Sequence, residues 1–373
     1  MPATVPVNSR YLPQMDGARA IAVLAVVLHH YGVHGPDGWD WGPIGPVVFF
    51  MMSGYLVTKA MLGLRDRVAE PGELVHFHIR RFCRLIPPLY LMIGIGVLFG
   101  LSEFVDHWHW HALFATNFLI ASQNEWVGSA SHLWSLGVQE QFYVLWPFLV
   151  LLAPRKWLVP AFFAAAGMAV VWRLGCIASD VSPLVRWLLL PGSLDTFAAG
   201  ALTAVWAARR PVFSLMQKAI MAFVAAGCFV LSTRMRFIPL DSPWAALVEL
   251  PEAVFFCWVL IRLLDDSSWP SRLLRWRPLV EVGKLSYGIF VYHILAWFLF
   301  APALDRLGME RGQFVAAAMV FSATVVLSAV SYHLIELPAT RWARSLRIDF
   351  SWVLPARWVP SVRRAWLKTL AGL

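Results

Sequence analysis

A histidine pair closes the first long apolar stretch of the chain. From Asp16 the sequence reads Asp16-Gly17-Ala18-Arg19, runs through apolar residues to Leu28 and ends on His29-His30. On a helix, Arg19 and His30 lie three turns plus roughly 20° apart, so they share one face about 16 Å apart along the axis. His29 points roughly 80° away from that face. An imidazole that is largely neutral near pH 7 is a natural general base for deprotonating a hydroxyl. A cation on the same stripe would anchor the anionic end of an extended substrate. Asp16 is suited to N-cap such a helix and to hold Arg19. The same residues also fit a plainer arrangement, an arginine at a membrane interface and a histidine bonded to a neighbouring helix carbonyl. Their spacing does not separate the two.

Two further clusters carry comparable chemistry. Arg80-Arg81-Phe82-Cys83-Arg84 stands just before Pro87-Pro88 and another apolar run. Guanidinium groups bind phosphates bidentately, and coenzyme A offers a diphosphate, a 3′-phosphate and a pantetheine arm about as long as the Arg19–His30 separation. The cluster also fits ordinary basic flanking of a membrane segment. In His132-Leu133-Trp134-Ser135 through Gln139-Glu140-Gln141-Phe142-Tyr143, Glu140 is an acid within an apolar helix. Near an imidazole it would orient the ring and stabilise its charged form. The alternation His107-Trp108-His109-Trp110-His111 resembles a ligand set. With no cysteine nearby and the histidines two apart in a loop, no metal site is expected.

The elements that must hold these residues are membrane helices. Of 373 residues 59% are hydrophobic and 14% charged, with a mean hydropathy of +0.63, which places the chain among membrane proteins. Its 20 Trp suit the two bilayer interfaces. The net charge of +9 reads as cytoplasmic loops, so nucleic acid is not an expected partner and membrane lipids are. The four cysteines, Cys83, Cys176, Cys228 and Cys257, show neither metal spacing nor a disulfide pattern. No cleavable signal peptide is expected before the first apolar run.

Requiring about 20 mostly apolar residues per crossing predicts an all-α polytopic protein of about ten spans. The expected limits are 17–33, 43–63, 85–101, 134–153, 157–174, 188–207, 215–232, 244–262, 281–301 and 313–335. With the N-terminus inside, only Arg173, Arg186, Arg234, Arg236, Arg306 and Arg311 fall outside. That leaves 25 of the 31 Lys and Arg on the cytoplasmic side, as the positive-inside rule requires. Both termini are therefore expected in the cytoplasm. Residues 1–338 form the expected membrane domain. Residues 339–373 form a basic tail in which Arg344, Arg347, Arg363, Arg364 and Lys368 alternate with Trp342, Trp358 and Trp366. Such a tail is suited to lie along the anionic inner leaflet.

Taken in order, these segments resemble acyltransferase family 3, membrane acyltransferases that modify polysaccharides, lipopolysaccharide, Nod factors and some macrolides. The resemblance rests on Met15-Asp16-Gly17-Ala18-Arg19-Ala20 through His30, Phe49-Phe50-Met51-Met52-Ser53-Gly54-Tyr55-Leu56 and Arg81-Phe82-Cys83-Arg84. It continues through Trp134-Ser135-Leu136 with Glu140-Gln141-Phe142-Tyr143, Leu285-Ser286-Tyr287-Gly288-Ile289 ending at His293, and Glu336-Leu337-Pro338. It implies that His30 is the catalytic base, with Asp16, Arg19 and Glu140 in the same machinery. Arg19, Arg81 and Arg84 would then serve an acyl-CoA donor, most simply acetyl-CoA. The acceptor would be a carbohydrate or glycolipid hydroxyl and the location a bacterial inner membrane. One departure stands out: the family often has two adjacent acids after Trp-Ser-Leu, and here the first is Gln139.

Some members of the family carry an additional extramembrane domain that receives the acyl group. Without one, the acceptor would be acylated directly or through a separate acceptor-side protein. A competing class is a transporter exporting a glycan or small anion, since intramembrane His, Arg and Glu also build proton relays. Transporters often show related halves, and no such symmetry is visible here. Oligomeric state is not legible.

Overall fold

The computed structural model describes residues 11–35, 38–66, 73–209 and 213–346. Among these residues no strand forms, and the helices run in the order α1 Pro13–His30, α2 Ile44–Asp66, α3 Glu73–Leu98, α4 Ser102–Ala112, α5 Thr116–Gln123, α6 Leu133–Leu152, α7 Arg155–Ala178 and α8 Pro183–Leu188. There follow α9 Leu194–Ala208, α10 Leu215–Met235, α11 Glu249–Leu264, α12 Trp269–Leu274, α13 Arg277–Lys284, α14 Ser286–Arg306, α15 Phe314–Ser331 and α16 Leu337–Ser345. Within the described residues, seven helices are long and apolar enough to cross a membrane: α2, α3, α6, α7, α10, α14 and the continuous run Phe314–Ser345.

Each of the ten expected spans falls on a helix, but three of those helices are poor spans by themselves. Polar Asp16, Arg19, His29 and His30 lower the apolar content of α1. Helices α9 and α11 have only 15 and 16 residues, or roughly 23 Å of rise against about 30 Å of hydrocarbon. Both are preceded by short turns of 3-10 helix, Leu190–Ser193 and Pro243–Leu247. Irregular backbone at membrane depth is tolerated where it lines a cavity rather than lipid, and Gly192, Ser193 and Ala245 do line one. The chain can break these helices because α9 is sheltered by α2 and α7.

Small residues set the closest approaches. A Cβ on Gly54 of α2 would strike the Phe197 carbonyl of α9, and one on Gly200 of α9 would strike the Met51 carbonyl of α2. Gly17 of α1 is held against Leu274, and Gly283 of α13 against Asp16. In lipid, where helix association relies on van der Waals packing, such glycines let backbones meet. The α2–α9 contact is filled out by Phe50 stacked on Phe197, which stacks on Phe142 of α6.

Three local expectations need correction. Asp16 does not cap α1: the helix starts at Pro13 after Leu12, whose side chain forms no cap bond, because proline fits the first turn without its missing N–H. Helix α3 begins at Glu73, twelve residues before the expected span, so the arginine cluster rides on a helix rather than at the mouth of one. The histidine alternation forms helix α4, not a loop. There His111 is buried, with one ring nitrogen 2.9 Å from Thr116 Oγ1 and the other 3.0 Å from the Glu103 carbonyl.

Near the end of the fold, Tyr332–Glu336 adopt a π-helical turn that leads into α16. Helix α16 packs on α3 and continues beyond residue 338. Of the basic tail, residues 347–373 lie outside the described residues.

Candidate active site

A cavity of about 1100 Å³ opens among α1, α2, α3, α6 and α11, and both ends of α1 contribute to it. Arg19 lines it near the start of the helix and His29 and His30 at the finish. Arg19 and His30 thus border one space. His29 also reaches the cavity, but its ring is held elsewhere: Nδ1 lies 2.6 Å from Asp40 Oδ1. Asp40 sits in the loop after α1. Burial pushes its carboxyl up, but hydrogen bonds from the Gly42 amide and His29 outweigh that and hold it below the usual carboxylate range.

His30 is oriented by backbone and by a second imidazole. Its Nδ1 stands 2.9 Å from the Val26 carbonyl and 3.1 Å from Nε2 of His293 on α14. His293 Nδ1 is 2.7 Å from the Phe290 carbonyl, so that nitrogen carries the proton and Nε2 is an acceptor. His30 Nδ1–H then donates to both partners, and among the described residues none engages the lone pair of His30 Nε2. That is the tautomer a general base needs. His293 is completely buried and stands behind His30. His132, which does line the cavity, places its ring 6.3 Å from that of His30 and 4.9 Å from that of His293. Tyr31 locks the assembly by donating to the His293 carbonyl at 2.9 Å.

At the Arg19 end the charged side chains facing the cavity are Arg19, Arg80, Arg81, Arg84 and Arg344. Their acidic partners stand behind them. Asp16 pairs with Arg19 at 2.8 Å and accepts the Tyr11 hydroxyl. Glu140 holds Arg81 through both carboxylate oxygens, with Nε at 2.9 and 3.0 Å and a further bond to Nη2. The Arg81 guanidinium also lies over the Tyr143 ring. Glu336 of the π-helical turn is buried nearby, without a hydrogen bond to Arg84.

The structure thus brings together Arg19, Arg81, Arg84 and His30 around one space, but not Glu140 and His30. Glu140 is occupied by Arg81 and does not line the cavity. Gln139 does, donating to Ser53, which also accepts the Tyr143 hydroxyl at 3.3 Å. Of the two neighbouring positions, the amide faces the site.

His293, Ser53 and Tyr143 were given no role by the sequence, although all three fall within its motifs. A polar side chain in an otherwise apolar helix is the signal that could have drawn attention to them. Among the described residues no group of three His, Cys, Asp or Glu side chains is arranged to hold a metal ion.

The model of the acyltransferase domain family matches residues 12–333. The chain belongs to acyltransferase family 3. Within that family it resembles peptidoglycan O-acetyltransferase OatA of Listeria monocytogenes, 28% identical over 364 residues covering 91% of this chain and 57% of the relative. O-acetyltransferase OatA of Staphylococcus aureus is 26% identical over 367 residues, covering 89% of this chain and 57% of the relative. The chain thus spans little more than half the length of these relatives. No solved structure matches.

Proposed function

We propose that this chain is a multi-pass membrane O-acetyltransferase that moves an acetyl group from acetyl-CoA to a hydroxyl of a carbohydrate acceptor, of which a cell-wall glycan is the leading candidate. The observation that carries this reading is a single cavity lined by a set of arginines and by the His30 imidazole, whose Nδ1 is engaged by Val26 and His293. The relatives named as O-acetyltransferases supply the acyl group and the acceptor class.

In the proposed reaction, the phosphates of acetyl-CoA lie among Arg19, Arg81 and Arg84, and the pantetheine arm runs along α1 toward His30. His30 Nε2 takes the proton of the acceptor hydroxyl as its oxygen attacks the thioester carbonyl. The carbon–sulfur bond breaks, and the proton passes from His30 to the departing thiolate. The products are the O-acetyl sugar and free coenzyme A. The distribution of basic residues supports an inner-membrane protein with both termini and the arginine end in the cytoplasm. The basic residues that follow α16 would then meet the inner leaflet, and a separate acceptor-side protein is a candidate partner.

The test is to incubate the purified protein with radiolabelled acetyl-CoA and an N-acetylglucosamine oligomer. Label on the oligomer, abolished in His30→Ala, is the expected result. Movement of glycan across liposomes without any loss of the thioester would overturn this reading in favour of a transporter.

A further inference from the structure

The cavity does not end at His30. Beyond it the space continues between the end of α10 and the first turn of α11, where Asp40, Glu249, Glu252, Arg236, Trp126 and Trp187 line it. Here the arrangement of charge is inverted. Glu252 pairs with Arg236 at 2.7 Å, both at the cavity wall. Glu249 lies 3.2 Å from Arg173, which is itself completely buried, bonded to Asp195 at 2.6 Å and absent from the wall. Arg186, also buried, supports the wall from outside it by donating to the Leu240 carbonyl at 2.7 Å. The shielded oxygen of Glu249 is Oε2, the one that faces Arg173. The side chain still lines the cavity and is 23% exposed, which leaves its other oxygen able to accept from a ligand.

We infer that this far end is the acceptor subsite, and that it takes an uncharged sugar whose hydroxyls donate to Glu249 and Glu252 while a ring face rests on Trp187 or Trp126. The inference rests on the proposed acetyltransferase reading and deepens it. Carboxylates accept strongly from hydroxyls, and three of them facing one arginine disfavour a phosphate, sulfate or carboxylate nearby. The same sign of charge keeps the phosphates of acetyl-CoA at the opposite end, so the thioester can approach His30 from one direction only. The acceptor hydroxyl reaches it from the other.

The double variant Glu249→Gln, Glu252→Gln tests this, with Asp195→Asn as a comparison that disturbs the buried Arg173 pair but not the cavity wall. Binding of an N-acetylglucosamine oligomer and of acetyl-CoA is measured separately by calorimetry on protein in nanodiscs, alongside label transfer and the melting midpoint. The double variant should weaken oligomer binding about tenfold or more, since two charge-assisted contacts are lost, while acetyl-CoA binding stays within about twofold. Discrimination against a sulfated oligomer should narrow. Asp195→Asn should lower the melting midpoint and leave oligomer binding unchanged. Unchanged oligomer binding in the double variant, or a parallel loss of acetyl-CoA binding, overturns the subsite. If the wild type binds the oligomer and transfers no label, the proposed reaction fails and the subsite stands. If it transfers label and binding ignores the substitutions, the reverse holds. If the wild type binds no oligomer, both fail.

Discussion

The two ends of the cavity use the same ingredients turned opposite ways. At the Arg19 end, arginines face the space while Asp16 and Glu140 hold them from behind. At the far end, Glu249 and Glu252 face the space, and Arg173 stands behind Glu249. An ion pair in low dielectric has little net charge, but the partner that faces a cavity decides which ligand can approach it. Facing, rather than pairing, sets the charge a ligand meets. His30 sits where the two fields meet, with only an imidazole and backbone around its Nδ1. A neutral base between a cationic donor site and an acidic acceptor site needs no carboxylate of its own.

The largest expected effect breaks the comparison at its midpoint. His30→Ala should lower turnover by about 100- to 10,000-fold, the range for a general base. His29→Ala should keep most of it, because that ring is engaged by Asp40. Equal losses in the two variants, at equal expression, would remove His30 from the mechanism. Next comes the basic end. Arg84→Gln should raise the KM for acetyl-CoA by about 10-fold or more, a charge-assisted contact being worth roughly 1.5–3 kcal/mol, and leave the acceptor KM alone. Unchanged acetyl-CoA binding would make Arg84 a topology residue.

How far these features can be read from sequence depends on how local they are. The ten apolar stretches all lie on helices, because twenty apolar residues in lipid have little alternative. The Arg19–His30 face was legible for the same reason, since helical geometry over eleven residues fixes it. Helix starts were less so: the first turns of α3 are polar, and hydropathy says nothing about where a helix with a polar beginning starts. The breaks before α9 and α11 were missed because they exist only where the cavity touches them. His293 lies 263 residues from His30, and no spacing rule spans that distance. The facing of Gln139 and Glu140 was open for a related reason: two adjacent positions on a helix differ by 100°, and only the packing of α6 against α2 and α3 chooses between them.

A medium effect concerns that distant histidine. His293→Leu removes one acceptor from His30 Nδ1–H and should lower kcat by about tenfold, since each 1.4 kcal/mol of lost orientation is a factor of ten. KM values should change little. His293→Gln can restore an acceptor and should recover most of the rate, which a purely packing role would not produce. If leucine serves as well as glutamine, Val26 alone orients the base.

The smallest expected effect sharpens the comparison most, because it applies the same substitution to both ends. Glu140→Gln removes a charge that stands behind Arg81, and the amide can still accept one of its bonds. The guanidinium keeps its place at the cavity wall, aided by the Tyr143 ring beneath it, and loses an anion that competes with a phosphate for it. Acetyl-CoA binding should therefore stay the same or tighten by about two- to threefold, with turnover within about threefold of wild type, an energy difference of well under 1.4 kcal/mol. At the far end, where the carboxylates face the ligand, glutamine at Glu249 and Glu252 should instead cost acceptor affinity. Turnover and acetyl-CoA binding in Glu140→Gln, with membrane insertion verified, make the check. A collapse of turnover with normal acetyl-CoA binding would mean that Glu140 does reach His30 during the reaction, and that the facing of charge in the resting protein is not what assigns the roles.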